Sequence, residues 1–130
     1  MAFPKEEVPD KDYLFLRVPK SLVNPDGTCD PAAFLPHGEG ANAGMSTNWA
    51  KYSTAEDTRR IAKAQPPENY GVLQLLAGAV RAIKSLVVDH TPRDHNRAHT
   101  DVLNTKAPRI RIEMSRQFKA WEIKPPRKGA

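Results

Sequence analysis

The chain has 130 residues, of which 12 are proline and 39% are apolar, and its formal net charge is +5. These values fit one compact domain with proline-rich loops, and they exclude a coiled coil, a collagen-like chain and a fully disordered acidic protein. The apolar stretches are too short to span a membrane, no secretory signal is recognised and the lone Cys29 has no disulfide partner, so a cytoplasmic location is predicted.

Three segments follow from the distribution of charged and apolar residues. Residues 1–11 are charged and contain two prolines, so they are expected to form a flexible N-terminal segment. Residues 12–123 are predicted to fold as a single α+β domain, with a mostly antiparallel sheet and two or three helices. Residues 124–130 are interpreted as a basic C-terminal tail.

Short local signals predict the first strand and the first turn. The continuous apolar run within residues 12–18 predicts a strand in the centre of the sheet. A turn is predicted over residues 25–27 (Pro-Asp-Gly), because proline presets φ and glycine accepts a positive φ. Phe34 and Leu35 are expected to pack inward from a short turn or strand over 28–36.

The next segments are predicted to be a loop, an extended stretch and a helix. Residues 37–44 are glycine-rich and are interpreted as a flexible loop, followed by an extended segment with a buried Trp49. Ser53 and Glu56 have the spacing of a capping box, in which the serine accepts a hydrogen bond from an early backbone N–H. A surface helix over 54–64 is therefore predicted, ending before two prolines.

The stretch that follows fits two kinds of secondary structure. Residues 70–76 have the composition of a strand, but the apolar spacing also fits a single helix over 70–84. Residues 86–89 and 98–103 are predicted to be short strands. The C-terminal element is ambiguous too, since residues 109–114 alternate as a half-buried strand would.

A longer periodicity decides the interpretation of the C-terminal element. Over residues 108–121 the apolar side chains recur at helical spacing, and Pro108 suits a first helical turn. A helix over 108–121 is therefore favoured, with an apolar stripe formed by Ile110, Met114, Phe118 and Trp121.

Positive charge is concentrated at the C-terminal end. Residues 106–130 hold eight basic and two acidic residues, whereas the other 105 residues carry twelve basic and thirteen acidic ones. This asymmetry predicts an anionic partner, whether nucleic acid, an acidic protein or a membrane surface, with a solvated helix face and a basic tail as the alternative. A protein partner or larger complex is expected first and nucleic acid second, and no membrane partner is expected. The residues expected to contact the partner are Arg109, Arg111, Arg116, Lys119, Lys124, Arg127 and Lys128.

The densest polar cluster lies between residues 90 and 101. His90, His95 and His99 are of the residue type that binds zinc, and Asp101 adds an oxygen ligand. Their spacing matches no known metal motif, so these residues are metal-ligand candidates only, and no cofactor is predicted.

A metal-free catalytic interpretation uses the same cluster. In a strand over 98–103, His99 and Asp101 face the same side, as a base and an orienting carboxylate require. His90 with Asp89 is a second pair of this kind. Ser46 or Cys29 would act as nucleophile only if the fold brings it close.

Three segments resemble a loosely defined group of small, uncharacterised bacterial proteins. FLRVP at 15–19, MSTNWAKYS at 45–53 and NRAHTDV at 96–102 carry this resemblance, which spans most of the chain. It implies a stand-alone unit and adds no function, cofactor or site residue. The expected function therefore rests on charge, and is that of a non-enzymatic accessory subunit that contacts an anionic partner. A small hydrolase that uses the histidine cluster is the alternative.

Overall fold

The computed structural model describes residues 3–38, 43–61 and 65–126. Within these ranges six strands form one antiparallel sheet with three α-helices, which confirms the predicted α+β class. The strands, in the spatial order β4-β5-β2-β1-β3-β6, are β1 (Tyr13–Pro19), β2 (Gly44–Trp49), β3 (Tyr70–Leu76), β4 (Val87–His90), β5 (His99–Leu103) and β6 (Trp121–Ile123). The helices are α1 (Ala55–Arg60), α2 (Ala77–Ala82) and α3 (Pro108–Gln117). None of them has the length and hydropathy of a membrane span.

One face of the sheet carries the hydrophobic core. The central strand β1 buries Leu14, Leu16 and Val18 on this face, and its neighbour β3 adds Leu73 and Leu75. Burying one such side chain contributes roughly 1.5–3 kcal/mol. Other elements complete the core with Val8, Phe34, Trp49, Val80 and Met114.

The structure decides both ambiguous stretches. Residues 70–76 form β3, which pairs with β1 along its whole length, so the alternative of a single helix over 70–84 is wrong. Residues 108–117 form the favoured helix, but the helix ends four residues earlier than predicted. Trp121 is in β6 because its Nε1 donates to the Gly27 carbonyl (2.9 Å) while its backbone pairs with the edge of β3.

Helix α1 begins one residue later than the capping-box prediction implies. Thr54 is the N-cap, and its hydroxyl accepts from the backbone N–H of Asp57 (3.0 Å). Glu56 does not reach back toward Ser53, because its carboxylate binds two arginines of the same helix. The last residues of the predicted helix, 62–64, lie outside the described ranges.

Two smaller predictions have different outcomes. The turn at residues 25–27 is confirmed, with Gly27 at φ +88° and its N–H bonded to the Asn24 carbonyl. Phe34 is fully buried as expected, but Leu35 is exposed, because the 3-10 turn that buries Phe34 ends there. Of the predicted loop 37–44, residues 39–42 lie outside the described ranges.

The N-terminal residues predicted to be flexible lie against the domain from Phe3 onward. They form no helix or strand, but the backbone N–H of Glu6 donates to His90 (2.9 Å) and Val8 is part of the core. Asp10 forms an ion pair with Arg81 at 2.7 Å. The hydrophobic core thus includes a residue that precedes β1.

Candidate functional site

The face of the sheet opposite the core is only partly covered. Helix α1 lies on this side, where Asn48 of β2 donates through Nδ2 to the hydroxyl of Thr58 (3.1 Å). A groove of about 480 Å³ remains open beside the helix, within the ~300–1,000 Å³ of small-molecule sites. The strand residues that line it include Phe15, Arg17, Ser46, Asn48 and His99.

Arg17 places a positive charge within this groove. It interrupts the apolar run of β1, is half-buried, and holds its guanidinium carbon 5.2 Å from the centre of the Tyr70 ring. Burial lowers the pKa of Arg17, but an arginine remains charged at neutral pH. Among the described residues no carboxylate forms an ion pair with it. A partly desolvated cation without a counter-ion opposes folding, so the groove is suited to an anion.

Apart from Tyr70, the other titratable residues described along the groove are all basic. Arg93 and His37 are exposed at its rim, and His99 is buried. No carboxylate occurs among the described residues that line it. Apolar side chains, including Leu35 and Ile61, complete the wall. The groove therefore combines apolar walls with positive charge.

Strands β2 and β5 bring a serine, a histidine and an aspartate to one face of the sheet. Ser46 is the ladder partner of Asp101, and His99 shares the face of Asp101 because strand side chains alternate. The Nε2 of His99 lies 3.3 Å from the Oγ of Ser46. Its Nδ1 lies 2.9 Å from the hydroxyl and 3.1 Å from the carbonyl of Thr91. The Thr91 hydroxyl in turn donates to Asp101 at 2.9 Å.

These contacts determine which imidazole nitrogen carries the proton. An ionised Asp101 only accepts, so the Thr91 hydroxyl uses its one proton there and accepts from Nδ1 of His99. Nε2 is then unprotonated and accepts from Ser46. Burial lowers the pKa of His99, because desolvation outweighs the charge of Asp101, which raises it. His99 is consequently neutral at neutral pH.

His90 lies on the opposite face of the sheet and has a structural role. It is the ladder partner of Thr100 and therefore shares the core face with it. Its Nδ1 accepts from the backbone N–H of Glu6, and its Nε2 lies 2.7 Å from the Arg97 carbonyl. Its ring packs edge-on against Trp49. With both nitrogens engaged, His90 has no lone pair for a metal.

The remaining metal and catalytic candidates do not form the predicted sites either. His95 is exposed at the tip of the hairpin between β4 and β5. Within the described ranges no three His, Cys, Asp or Glu side chains come together as a metal site. Asp89 faces away from His90 and forms an ion pair with Lys5 (2.7 Å), so the predicted His90–Asp89 pair does not form.

Cys29, the alternative nucleophile, belongs to the core. It is 1% exposed, and burial raises the pKa of its thiol to about 12. A buried, protonated thiol is a poor nucleophile. Of the two nucleophile candidates, the fold thus brings only Ser46 to a histidine.

The basic residues near the C-terminus occupy separate parts of the surface. Arg109 and Arg116 are exposed on α3, where they line an open cavity together with Lys84 and the exposed Ile112. Arg111 instead donates to two backbone carbonyls just before the helix. The others are Lys119 and Lys124, both exposed, and Arg127 and Lys128, which lie outside the described ranges.

Three residues were not singled out from the sequence: Arg17 and Tyr70 in the groove lining, and Thr91 beside His99. Arg17 carried a signal, since it is the one charged residue in the apolar run from Tyr13 to Val18. Thr91 and Tyr70 carried none, because their roles depend on pairings between distant strands. Comparisons with protein-family models, with curated proteins and with solved structures find no match. The geometry of the groove is therefore the basis for assigning a function to this protein.

Proposed function

We propose that the protein binds a small anionic ligand in the groove, with Arg17 as the principal contact. The observation that supports this proposal is the half-buried guanidinium, which has no carboxylate partner in the described ranges. Folding leaves this charge poorly solvated, and a ligand anion would compensate for it. The size of the groove suits a metabolite that carries a carboxylate or a phosphate group.

The chemistry of arginine supports an anion of this kind. A guanidinium presents several N–H donors in a planar fork that matches the two oxygens of a carboxylate or phosphate. Stacking on Tyr70 favours a fixed plane for this fork. Arg93 at the rim adds a second charge, and Leu35 and Ile61 provide apolar contacts for the remainder of the ligand.

Calorimetric titration with succinate, inorganic phosphate and pyrophosphate tests the proposal. We expect the wild-type protein to bind at least one of these anions, and Arg17→Met to bind it at least about 10-fold more weakly, since a charge-assisted hydrogen bond is worth roughly 1.5–3 kcal/mol. Arg17→Lys should retain part of the affinity. Arg109→Met on α3 is the matched control and should bind as the wild type does. Equal affinity of Arg17→Met and wild type would contradict the proposal.

A second candidate function is the docking of an acidic protein surface or nucleic acid on α3. It is favoured by the cavity that the exposed Ile112 lines together with Arg109, Arg116 and Lys84 and with one acidic residue, Glu113. Three cations against one carboxylate leave an excess of positive charge beside an apolar side chain, which suits an acidic partner with an apolar contact point. In this alternative the protein is an accessory subunit, and the groove has no part in recognising the partner.

A further inference from the structure

We propose that Ser46 and His99 form a nucleophile–base pair that hydrolyses an ester bound in the groove. Three observations carry the proposal: the 3.3 Å separation of Oγ and Nε2, the position of both residues in the groove lining, and the two Thr91 oxygens at 2.9 and 3.1 Å from Nδ1, which favour the proton on that nitrogen. That the ester is anionic rests on the proposed function. The reaction of Ser46 itself does not.

The hydroxyl of Ser46 has a different partner from those of other serines in the fold. Ser115 donates to a backbone carbonyl of α3, and Ser53 donates to the carbonyl of Thr54. Neither contact makes a serine more nucleophilic. The hydroxyl of Ser46 faces an unprotonated imidazole nitrogen, which can take its proton as the oxygen attacks.

Thr91 and Asp101 are positioning residues for this pair. Thr91 accepts from Nδ1 through its hydroxyl and its carbonyl, which fixes the plane of the ring. Asp101 fixes the Thr91 hydroxyl in the accepting orientation. A Cβ at Gly44 would lie 2.8 Å from the Cβ of Asp101, so the glycine provides the space that Asp101 occupies. In a direct triad the carboxylate accepts from the histidine itself. Here the Thr91 hydroxyl lies between His99 and Asp101.

The proposed reaction balances with water as the only co-reactant. Ser46 Oγ bonds to the carbonyl carbon of the ester, and its proton moves to Nε2 of His99. The bond between that carbon and the alcohol oxygen then breaks, and the alcohol leaves with the proton from Nε2. Water attacks the acyl-serine, again losing a proton to Nε2. The acid departs, and Ser46 Oγ recovers the proton.

Covalent labelling with diisopropyl fluorophosphate tests the nucleophile directly, because this neutral reagent transfers its phosphoryl group to an activated serine and releases fluoride. We expect one adduct per chain by intact-mass analysis, located at Ser46 by peptide mapping. Ser46→Ala should abolish the adduct, and Ser53→Ala, the matched control, should keep it. His99→Asn retains a donor near the Nδ1 position but removes the base, and should slow labelling about 100-fold or more. No adduct, or an adduct elsewhere, would overturn the proposal.

A cysteine variant keeps the proposal testable if Ser46→Ala does not fold. Ser46→Cys preserves the shape of the side chain and can be alkylated with iodoacetamide. We expect rapid alkylation at position 46, slowed by His99→Asn, while the buried Cys29 stays unmodified. Alkylation at a rate that is independent of His99 would overturn the pairing.

The pH profile of labelling separates positioning from a purely structural role. The groups that act on His99 are Asp101, which favours its protonated form, and Arg93 and His95, which oppose it. Asp101→Asn should therefore move the midpoint of the profile to lower pH. Thr91→Val should lower the plateau rate, because the ring loses one of its two acceptors. Unchanged pH profiles in both variants would exclude the proposed positioning roles of Thr91 and Asp101.

Two esters distinguish this proposal from that of anion binding. Hydrolysis of 4-nitrophenyl acetate, which is neutral, should depend on Ser46 and not on Arg17. Hydrolysis of mono-4-nitrophenyl succinate should depend on both, with a loss of about 10-fold in Arg17→Met. If Ser46 is labelled but Arg17→Met shows no such loss, the anion-binding proposal is contradicted and the nucleophile proposal stands. If the anion binds but Ser46 does not react, the nucleophile proposal is overturned and the anion-binding proposal stands.

Discussion

At the scale of single residues, His90 and His99 show how one hairpin places the same side chain in two environments. His90 has hydrogen bonds at both nitrogens and a tryptophan against its ring. His99 has one nitrogen bound and the other directed at a serine in an open groove. Residue type alone made the two equivalent as metal or catalytic candidates. They lie on opposite faces of the sheet, because His90 pairs with Thr100 and His99 is the residue next to Thr100 in β5.

If the proposed function is correct, the side chain of Arg17 lowers the free energy of unfolding of the ligand-free protein and raises its affinity for the anion. In the absence of ligand, Arg17→Met should be at least as stable as the wild type, by up to about 1 kcal/mol, because an apolar side chain replaces a partly desolvated cation. Urea denaturation measures the free energy of unfolding of both proteins. Arg17→Gln, which is polar and neutral, is the control. A loss of more than about 1 kcal/mol in Arg17→Met would assign Arg17 a structural role through Tyr70.

Part of the candidate site could be predicted from neighbouring residues. Period-two alternation is enough to put His99 and Asp101 on one face of a strand, and the structure has them there. The contact of His99 with Ser46 could not be predicted in this way. It depends on the register between β2 and β5, whose paired residues are more than 50 positions apart. A sequence pattern predicts which residues of a strand share a face. Which residue of another strand they contact depends on how all the strands of the sheet pair.

At the scale of elements, the errors lie where tertiary contacts compete with local patterns. Trp121 follows Phe118 at helical spacing, but the free edge of β3 and the Gly27 carbonyl hold it in a strand. Ser53 and Thr54 are both good caps by type, and only the backbone path selects Thr54. The apolar strand β1 was predicted because its continuous apolar run fits a central strand. For β3 the sequence left a strand and a helix open, and the pairing with β1 makes it a strand.

Helix α3 provides the test of the second candidate function. If it binds nucleic acid, the logarithm of the affinity should fall linearly with the logarithm of salt concentration, with a slope of roughly −0.9 for each phosphate neutralised. Arg109→Ala and Arg116→Ala should each reduce the magnitude of this slope by about one. Arg60→Ala on α1 is the control and should leave it unchanged. Fluorescence anisotropy with a labelled duplex measures the slope, and an affinity insensitive to salt would contradict this version.

At the scale of the whole molecule, the residues before β1 connect separate parts of the fold. Glu6 donates its N–H to His90, while its carboxylate accepts from Tyr52 and Lys51. Charge and proline content predicted a flexible segment here. The contacts of Glu6 and Val8 could not be predicted, because their partners lie far away in sequence. The composition of a segment gives no information about its contacts with residues far away in the chain.

These contacts predict how stability depends on pH. The hydrogen bond from Tyr52, assisted by Lys51, lowers the pKa of Glu6 in the folded state. Its contribution should therefore be complete above the unfolded-state pKa of about 4.3 and disappear as pH falls through the lower folded value. Urea midpoints of wild type and Glu6→Gln should differ at pH 7 and converge toward pH 3. The other carboxylates titrate in both proteins, so a difference that stays constant with pH would contradict this role.

The hairpin between β4 and β5 has a consequence for communication across the sheet. Strand β4 ends at His90, which accepts a hydrogen bond from the N-terminal residue Glu6. The turn that follows carries Arg93 and Asn96, which line the rim of the groove. We expect an occupant that restrains the rim to restrain the backbone at His90 as well, since both belong to one hairpin, and linkage would make the influence mutual. One hairpin thus joins the N-terminal residues, through His90, to the rim of the groove, through Arg93 and Asn96.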